Sequence, residues 1–446
     1  VELLCNEAHS DLSVLIKGER ENPPVYGRDE SEQSGFKCAG LNSAVEDGRW
    51  LLSVFKYRLY PNVGEEMRLK RSLFQLCCLY DKPRAAKMQL YRKSHVSLSQ
   101  TELRALVLQW RKNSSELQAV HSQATQNVAD RLHAAFVNYF EGRARFPKNR
   151  QPRKYLSMTY PQSGFKLENG RLHLSKVGKL RIFLHREPEG TIKRLTIKRE
   201  AGEWYSIFTT EREPLQKPKL ETIPDEKIRG ADAGLEKFAT FDNAESVDYP
   251  RFLRRSEEKL KTLQRHLAGK RKGSRRWRQT CFQLARLHQH IARQRQDYQN
   301  KLIAQLYTTC DILVLEKLQV QNMLRNHNLA KSIADAAFGQ FIRKAKFKAD
   351  LLGKYFLPVD PWGTTQFCHN CLTWVPKTLS EREHKCPNCG IELPRDLNSA
   401  KLIKRLGILA VRCSSSDGGS SPAEPEPLPF LRGLVSRGVE ARSPRL

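Results

Sequence analysis

KIRGADAGLEKFATF, residues 227–241, decides the reading of this chain. Small and apolar residues run up to Asp232, Gly234 follows it, and a second alternating run closes the stretch at Phe241. The pattern predicts a strand, a turn and a second strand, with a carboxylate interrupting the first. An acid is unusual in a segment otherwise bound for a core. Further along, DILVLEKL, residues 311–318, is a continuous apolar run that ends in Glu316. Such a run marks a strand buried on both faces and puts Glu316 at its edge. A third acid, Asp396, lies in ELPRDLNSAKLIKRLG, residues 392–407. A helical pattern opens there after Pro394, so Asp396 belongs to a helix's first turn.

Three carboxylates on three separated elements have one common chemical use. Two Mg²⁺ ions about 3.5–4 Å apart need hard oxygen ligands from several directions, and such a pair supports phosphodiester hydrolysis. Spacing alone leaves the ordinary alternatives open, because solitary acids at strand ends also serve as helix caps or solvated charges.

The cysteines are more specific. Cys368, Cys371, Cys386 and Cys389 form two C-x2-C pairs fourteen residues apart. That spacing predicts one tetrahedral Zn²⁺ held by four thiolates, a closed structural site. Metal binding would then be part of the folding free energy of a short polar segment that cannot bury a core of its own. His369 and His384 lie beside the pairs and read as bystanders, since four sulfurs complete the shell. The other seven cysteines, Cys5, Cys38, Cys77, Cys78, Cys281, Cys310 and Cys413, are scattered and read as buried hydrophobes or surface thiols.

Lys and Arg number 77 against 48 Asp and Glu in 446 residues, a formal net charge of +29. A surplus of that size attracts polyanions, and with a mean hydropathy of −0.60 and no spanning apolar stretch the polyanion is nucleic acid rather than a membrane surface. The apolar share of 39% excludes wholesale disorder. VELLCNEAHSDL, at the start, carries acids where a secretory leader has a basic region, so an intracellular protein is expected. The positive charge concentrates between residues 251 and 300, which hold 15 Lys or Arg against Glu257, Glu258 and Asp297. Leu260, Leu263 and Leu267, then Leu284, Leu287 and Ile291 after a break at Gly273-Ser274, predict a helical hairpin with an apolar seam, residues 251–306. A solvated charged hairpin is the plain reading. Trp277 among Arg275, Arg276 and Arg278, close to Arg271 and Lys272, makes phosphate contact the better one.

Upstream, residues 1–50 lack a sustained apolar period and predict a flexible extension. LLSVFKYRLYP, residues 51–61, predicts a strand stopped by Pro61. Helical segments follow from Glu65 to about Phe140, one opened by a capping box at Ser99 and Glu102. Residues 143 to about 212 turn to β texture, with turns at Asn169-Gly170 and Ala201-Gly202. The last helix is expected to end near Gly407, and the Ser-, Gly- and Pro-rich residues 411–446 predict a disordered tail.

Taken in order, GADAGLEKFATF, the basic GKRKGSRRWR, ILVLEKLQVQNMLRNHNLAKSIADAAFGQF, VDPWGTTQFCHNC, CPNCG and RDLNSA resemble the TnpB (OrfB) family of transposon-encoded proteins, which are similar to the compact type V CRISPR nucleases. The resemblance covers roughly residues 51–410. It implies an α/β multidomain protein: an RNase H-like RuvC nuclease domain over 221–364 and 393–410 with an inserted zinc ribbon at 365–392, and a β-barrel wedge over 51–62 and 143–220 that carries a helical recognition lobe at 63–142. By the same resemblance Asp232, Glu316 and Asp396 take the three catalytic, Mg²⁺-binding positions of an RNA-guided DNA endonuclease. Pro394 stands where the family usually has an acid, and Ala231 and Ala233 replace bulkier apolar residues, but neither departure removes a metal ligand. The implied partners are a guide RNA from the transposon end and a double-stranded DNA target with a short flanking motif. The implied setting is a monomer in a prokaryotic cytoplasm, on the nucleoid when DNA-bound. A nuclease-inactive RNA-guided repressor and a transposase performing strand transfer are the alternatives.

Overall fold

A computed structural model describes residues 50–378 and 380–413. All but the last residue of the extension and all but the first three of the tail expected from the sequence lie outside the described residues.

The first described strand, β1 (Leu51–Tyr60), alternates between core and surface as its period of two requires. It leads into a helical block, α1 (Val63–Ser94), α2 (Gln100–Lys112), α3 (Ser115–Gln118) and α4 (Ser122–Phe140). Capping boxes open α1 at Asn62 and Glu65 and α2 at Ser99 and Glu102, each satisfying helix-end donors from side chains. Six strands follow: β2 (Ser157–Tyr160), β3 (Phe165–Glu168), β4 (Arg171–Leu174), β5 (Gly178–Phe183), β6 (Thr191–Glu200) and β7 (Glu203–Arg212). With β1 they make one antiparallel sheet in the order β2-β6-β7-β1-β5-β4-β3. Four inter-strand steps separate β3 from β7, about 19 Å in a flat sheet. Yet the Phe165 and Phe208 rings lie 6.4 Å apart, so the sheet curls toward a barrel. Tyr57, Leu180 and Phe208 from the sheet and Leu69, Leu103 and Leu132 from the helices share its core. Burying one face of each amphipathic helix against that sheet is what holds the block in place.

The second body is built on β8 (Ile228–Asp232), β9 (Lys237–Phe241), β10 (Ser246–Asp248), the helices α5 (Phe252–Arg255), α6 (Glu257–Ala268) and α7 (Arg275–Thr309), β11 (Ile312–Glu316), the helices α8 (Val320–Met323), α9 (Ala330–Ala336) and α10 (Phe338–Leu352), and β12 (Tyr355–Val359). Its five-stranded sheet has the order β10-β9-β8-β11-β12, with β8, β11 and β12 parallel and β9 and β10 antiparallel. Leu313 and Leu315 face one core with Leu302 and Leu306 of α7 and Phe341 of α10. Ile312 and Val314 face the other. Burial on both faces is why β11 reads as an unbroken apolar run.

A short ladder, β13 (Glu383–Lys385) with β14 (Glu392–Pro394), and a final helix, α11 (Arg395–Cys413), complete the chain. Leu402, Ile403, Leu406 and Val411 of α11 fill the second core. The helix does not stop near Gly407, and it carries three residues into the stretch expected to be tail. A side chain at Gly407 would put its Cβ 2.5 Å from Val314 Cγ2, so this glycine serves close helix-to-strand packing rather than termination. Ile408 and Val411 beyond it continue the apolar stripe.

Candidate active site and cysteine cluster

Strand alternation brings the first two acids together. β8 and β11 run parallel with Ala231 opposite Leu315, so Asp232 and Glu316 are the next residues of the two strands, at the same end. Ala231 and Leu315 point into the first core, so the residues after them point to the opposite face, with Ile228 and Val314. α11 packs on that face. The approach is close because Gly230 has no side chain: a Cβ there would lie 2.4 Å from the Ala400 carbonyl oxygen and 2.5 Å from the Lys404 nitrogen. Asp396, one turn before Ala400 in the first turn of α11, thereby arrives beside Asp232.

Asp232 feels the other two carboxyls. Burial raises Asp232 well above the ordinary carboxylate range, the charges of Glu316 and Asp396 raise it further, and the Arg395 guanidinium opposes them. Glu316 is also raised by burial, offset by a hydrogen bond from the Thr364 hydroxyl. Arg395 Nη2 lies 3.3 Å from Asp396 Oδ1. A partly buried group of carboxylates of this kind is a donor set suited to hard cations. Among the described residues its oxygens are not gathered within 4.8 Å of one another; only the cysteine group is.

That group is Cys368, Cys371, Cys386 and Cys389, whose sulfurs all lie within 4.8 Å of each other. Cys368 and Cys389 sulfurs are 3.6 Å apart and Cys371 and Cys386 sulfurs 3.4 Å. Four sulfurs about 2.3 Å from one ion have tetrahedral edges of about 3.8 Å, so the cluster fits a single metal. Neither histidine joins it. His384 Nδ1 meets Lys377 Nζ at 2.6 Å, and burial, then Lys377, pushes its imidazole down to about 4. His369 is bonded to Asn398. The aromatic trio Trp362, Phe367 and Trp374 packs beside the cluster and joins the core beneath α11, so the polar segment borrows a core rather than building one.

Two residues that charge and spacing do not single out complete the site. Thr364, 1% exposed, bonds Glu316. Asn398, fully buried on α11, donates from Nδ2 to the Phe367 carbonyl at 2.8 Å and accepts the His369 amide at 3.0 Å. Neither is charged, and their signal is only their presence within VDPWGTTQFCHNC and RDLNSA.

On the other side of the body, α6 and α7 form the hairpin, with Leu260 and Ile291 buried in its seam. Its turn is strapped by Lys270 Nζ to Thr280 Oγ1 at 2.5 Å, and Ser274 caps α7 by accepting the Trp277 amide at 3.1 Å. Arg271, Lys272, Arg275, Arg276 and Arg278 are all exposed around this turn.

The described chain thus joins a curled antiparallel sheet with its helical block to a mixed sheet that is covered on both faces and carries the three acids and the four-cysteine cluster. A family model described as a probable transposase, OrfB_IS605, matches residues 209–327, which include Asp232 and Glu316. A second, the Cas12f1-like TNB domain, matches residues 338–403, which include the four cysteines and Asp396. A Streptomyces pristinaespiralis protein provisionally named RNA-guided DNA endonuclease is 29% identical over 397 residues, 85% of this chain and 97% of its own length. An Escherichia coli K12 protein with the same provisional name, InsQ, is 27% identical over 405 residues, 86% of this chain and 99% of its own. In a cryo-EM structure of a Cas12f1–sgRNA–target DNA complex, the Cas12f1 fold is similar with a TM-score of 0.50 at 10% identity, over 80% of this chain and 99% of that one. The resemblance to the TnpB (OrfB) proteins that the motifs carry is thus shared by the family matches and the relatives. No helix among the described residues is long and apolar enough to cross a membrane.

Proposed function

We propose that this protein is an RNA-guided DNA endonuclease of the TnpB type, which cleaves target DNA by phosphodiester hydrolysis. The observation that carries the reading is the convergence of three acids from three elements: Asp232 and Glu316 end adjacent parallel strands on the face where α11 packs against Gly230, and Asp396 stands in the first turn of α11. In this reading the five-stranded body, residues 221–364 and 393–410, is the RNase H-like RuvC domain. Residues 51–62 and 143–220 are its wedge, and residues 63–142 its recognition lobe. Asp232, Glu316 and Asp396 hold two Mg²⁺ ions, and a site for a pair asks for a wider donor set than one ion does. When bound, such a pair supplies the positive charge that favours attack on phosphorus and departure of the leaving oxygen. The chain's part is to align the carboxylates, with Arg395 offsetting part of the rise in proton affinity that burial imposes on Asp232 and Thr364 part of the rise at Glu316. Cys368, Cys371, Cys386 and Cys389 hold one structural Zn²⁺ in the ribbon at residues 365–392, which braces the start of α11.

Guide RNA and a double-stranded DNA target with a short flanking motif are the partners. Base pairing reads sequence while the protein reads backbone and shape, a division that suits a net charge of +29. Arg271, Lys272, Arg275, Arg276 and Arg278 contact phosphates from the hairpin turn. The test is purification with bound nucleic acid, sequencing of the copurified RNA, and cleavage of a matching target in Mg²⁺. Asp232→Ala is expected to abolish cutting and to keep the RNA; unchanged cutting by that variant rejects the assignment.

A further inference from the structure

The cysteine-bearing segment touches two of the three acid-bearing elements through buried, uncharged groups. Thr364 lies four residues before Cys368, is 1% exposed, and its Oγ1 meets Glu316 Oε1. That single hydroxyl proton can serve the carboxylate or the Pro361 carbonyl at 3.0 Å, and the anion is the stronger acceptor. Asn398 lies two residues after Asp396 and spends its amide on the residues flanking Cys368. Nδ2 donates to the Phe367 carbonyl, while Oδ1 accepts the His369 amide and lies 3.1 Å from His369 Nδ1. Further hydrogen bonds fasten α11 to the same segment. Arg405 Nη1 donates to the His369 and Asn370 carbonyls at 2.8 and 2.6 Å, and the Arg395 amide donates to the Arg382 carbonyl at 2.7 Å.

We propose that Thr364 and Asn398 are positioning residues that transmit the geometry of the Cys368 knuckle to Glu316 and Asp396, so that the ribbon sets the spacing of the acid site. The proposal rests on the acids being divalent-ion ligands. Groups that bond a ligand carboxylate or its supporting backbone fix its orientation, and their loss weakens metal binding without removing any ligand atom. Thr364 has the further property that its removal takes from a partly buried Glu316 oxygen the hydroxyl it bonds.

The test measures Mn²⁺ binding by electron paramagnetic resonance on the full chain freed of nucleic acid. Zinc content by atomic emission and thermal melting are read on the same samples. Asp232→Ala defines the signal that belongs to the acids. Thr364→Val, nearly the same shape without the hydroxyl, is expected to weaken that binding about tenfold or more while zinc content and melting stay as in the native chain. Thr364→Ser, which restores the donor, is expected to bind within about twofold of native, a rescue that a role in packing alone would not give. Asn398→Leu supplies an independent second lever, with weaker Mn²⁺ binding and retained zinc. Native Mn²⁺ affinity in both Thr364→Val and Asn398→Leu, or no rescue by Thr364→Ser, overturns the proposal. Mn²⁺ binding indifferent to Asp232→Ala overturns the reading of the acids themselves, and is distinguished by that single control.

Discussion

Replacing Gly230 by Ala adds one methyl group at the tightest place between β8 and α11. Its Cβ would lie 2.4 Å from the Ala400 oxygen, 2.5 Å from the Lys404 nitrogen and 2.7 Å from Lys404 Cβ, where ordinary contact begins at 3.4 Å. The shortfall is 1.0 Å on the first atom, 3.4 less 2.4. Two of the three atoms are helix backbone, so no side-chain rotation relieves the clash, and α11 must retreat from the sheet by about 1 Å or β8 must yield as much. Overpacking of this kind costs about 1–3 kcal/mol. At roughly 2–4 °C per kcal/mol in a body of this size, melting falls by about 2–12 °C. The larger consequence is geometric, because Asp396 rides on the first turn of α11 and Asp232 lies two residues beyond Gly230. In the reaction proposed above, a displacement near 1 Å at these groups costs on the order of 100-fold in rate.

Gly407→Ala is the matched control. The three atoms nearest its Cβ all belong to the side chain of Val314, at 2.5, 3.0 and 3.2 Å, rather than to backbone, and Gly407 lies three turns along the helix from Asp396. It is expected to lower melting comparably and to lower cleavage much less. The assay is single-turnover cleavage by the guide-loaded protein at saturating target, with melting followed by scanning fluorimetry. Native cleavage by Gly230→Ala, or losses in the two variants that simply track their melting temperatures, would refute the argument that this glycine sets the separation of the acids.

Asp232→Asn in the presence of a chelator is expected to raise the melting temperature near neutral pH, because it removes a charge that burial and two neighbouring carboxylates disfavour. The sign follows from linkage: a carboxyl raised above its ordinary 3.8 holds its proton in the folded state, contributes stability below that value, and loses it as pH rises through the raised folded value. The gap between variant and native chain should therefore close on acidification, and a gap that widens would contradict the burial of Asp232. Replacing Arg275, Arg276 and Arg278 together by Ala is expected to reduce the slope of log affinity for nucleic acid against log salt by about 0.7–0.9 for each phosphate no longer neutralised. Filter binding across a salt series measures it, and an unchanged slope removes these three from the interface.

The parts of this fold that were legible in the sequence are those set by local chemistry. Ser99 with Glu102 announces a helix start, the alternation of LLSVFKYRLY a half-buried strand, and the unbroken ILVL a strand covered on both sides. β12 escaped because Pro358 interrupts YFLPV, and a proline is tolerated there only because β12 is an edge strand whose one partner is β11. The cysteine cluster is legible for the same local reason, since its ligands come as two short pairs. The meeting of Asp232 with Asp396 is of another kind. It depends on Gly230 and Gly407 opposing a helix and a valine at distances no side chain permits, and a glycine looks the same in sequence whether it ends a helix or admits one. What separates the two cases is the partner surface. Val314 fills the space beside Gly407 and the stripe resumes with Ile408 and Val411, so the helix gains more by continuing than a left-handed cap would provide. Thr364 and Asn398 were hidden by the same limitation, because an uncharged side chain acquires a role at a carboxylate site only once the fold has chosen its neighbour.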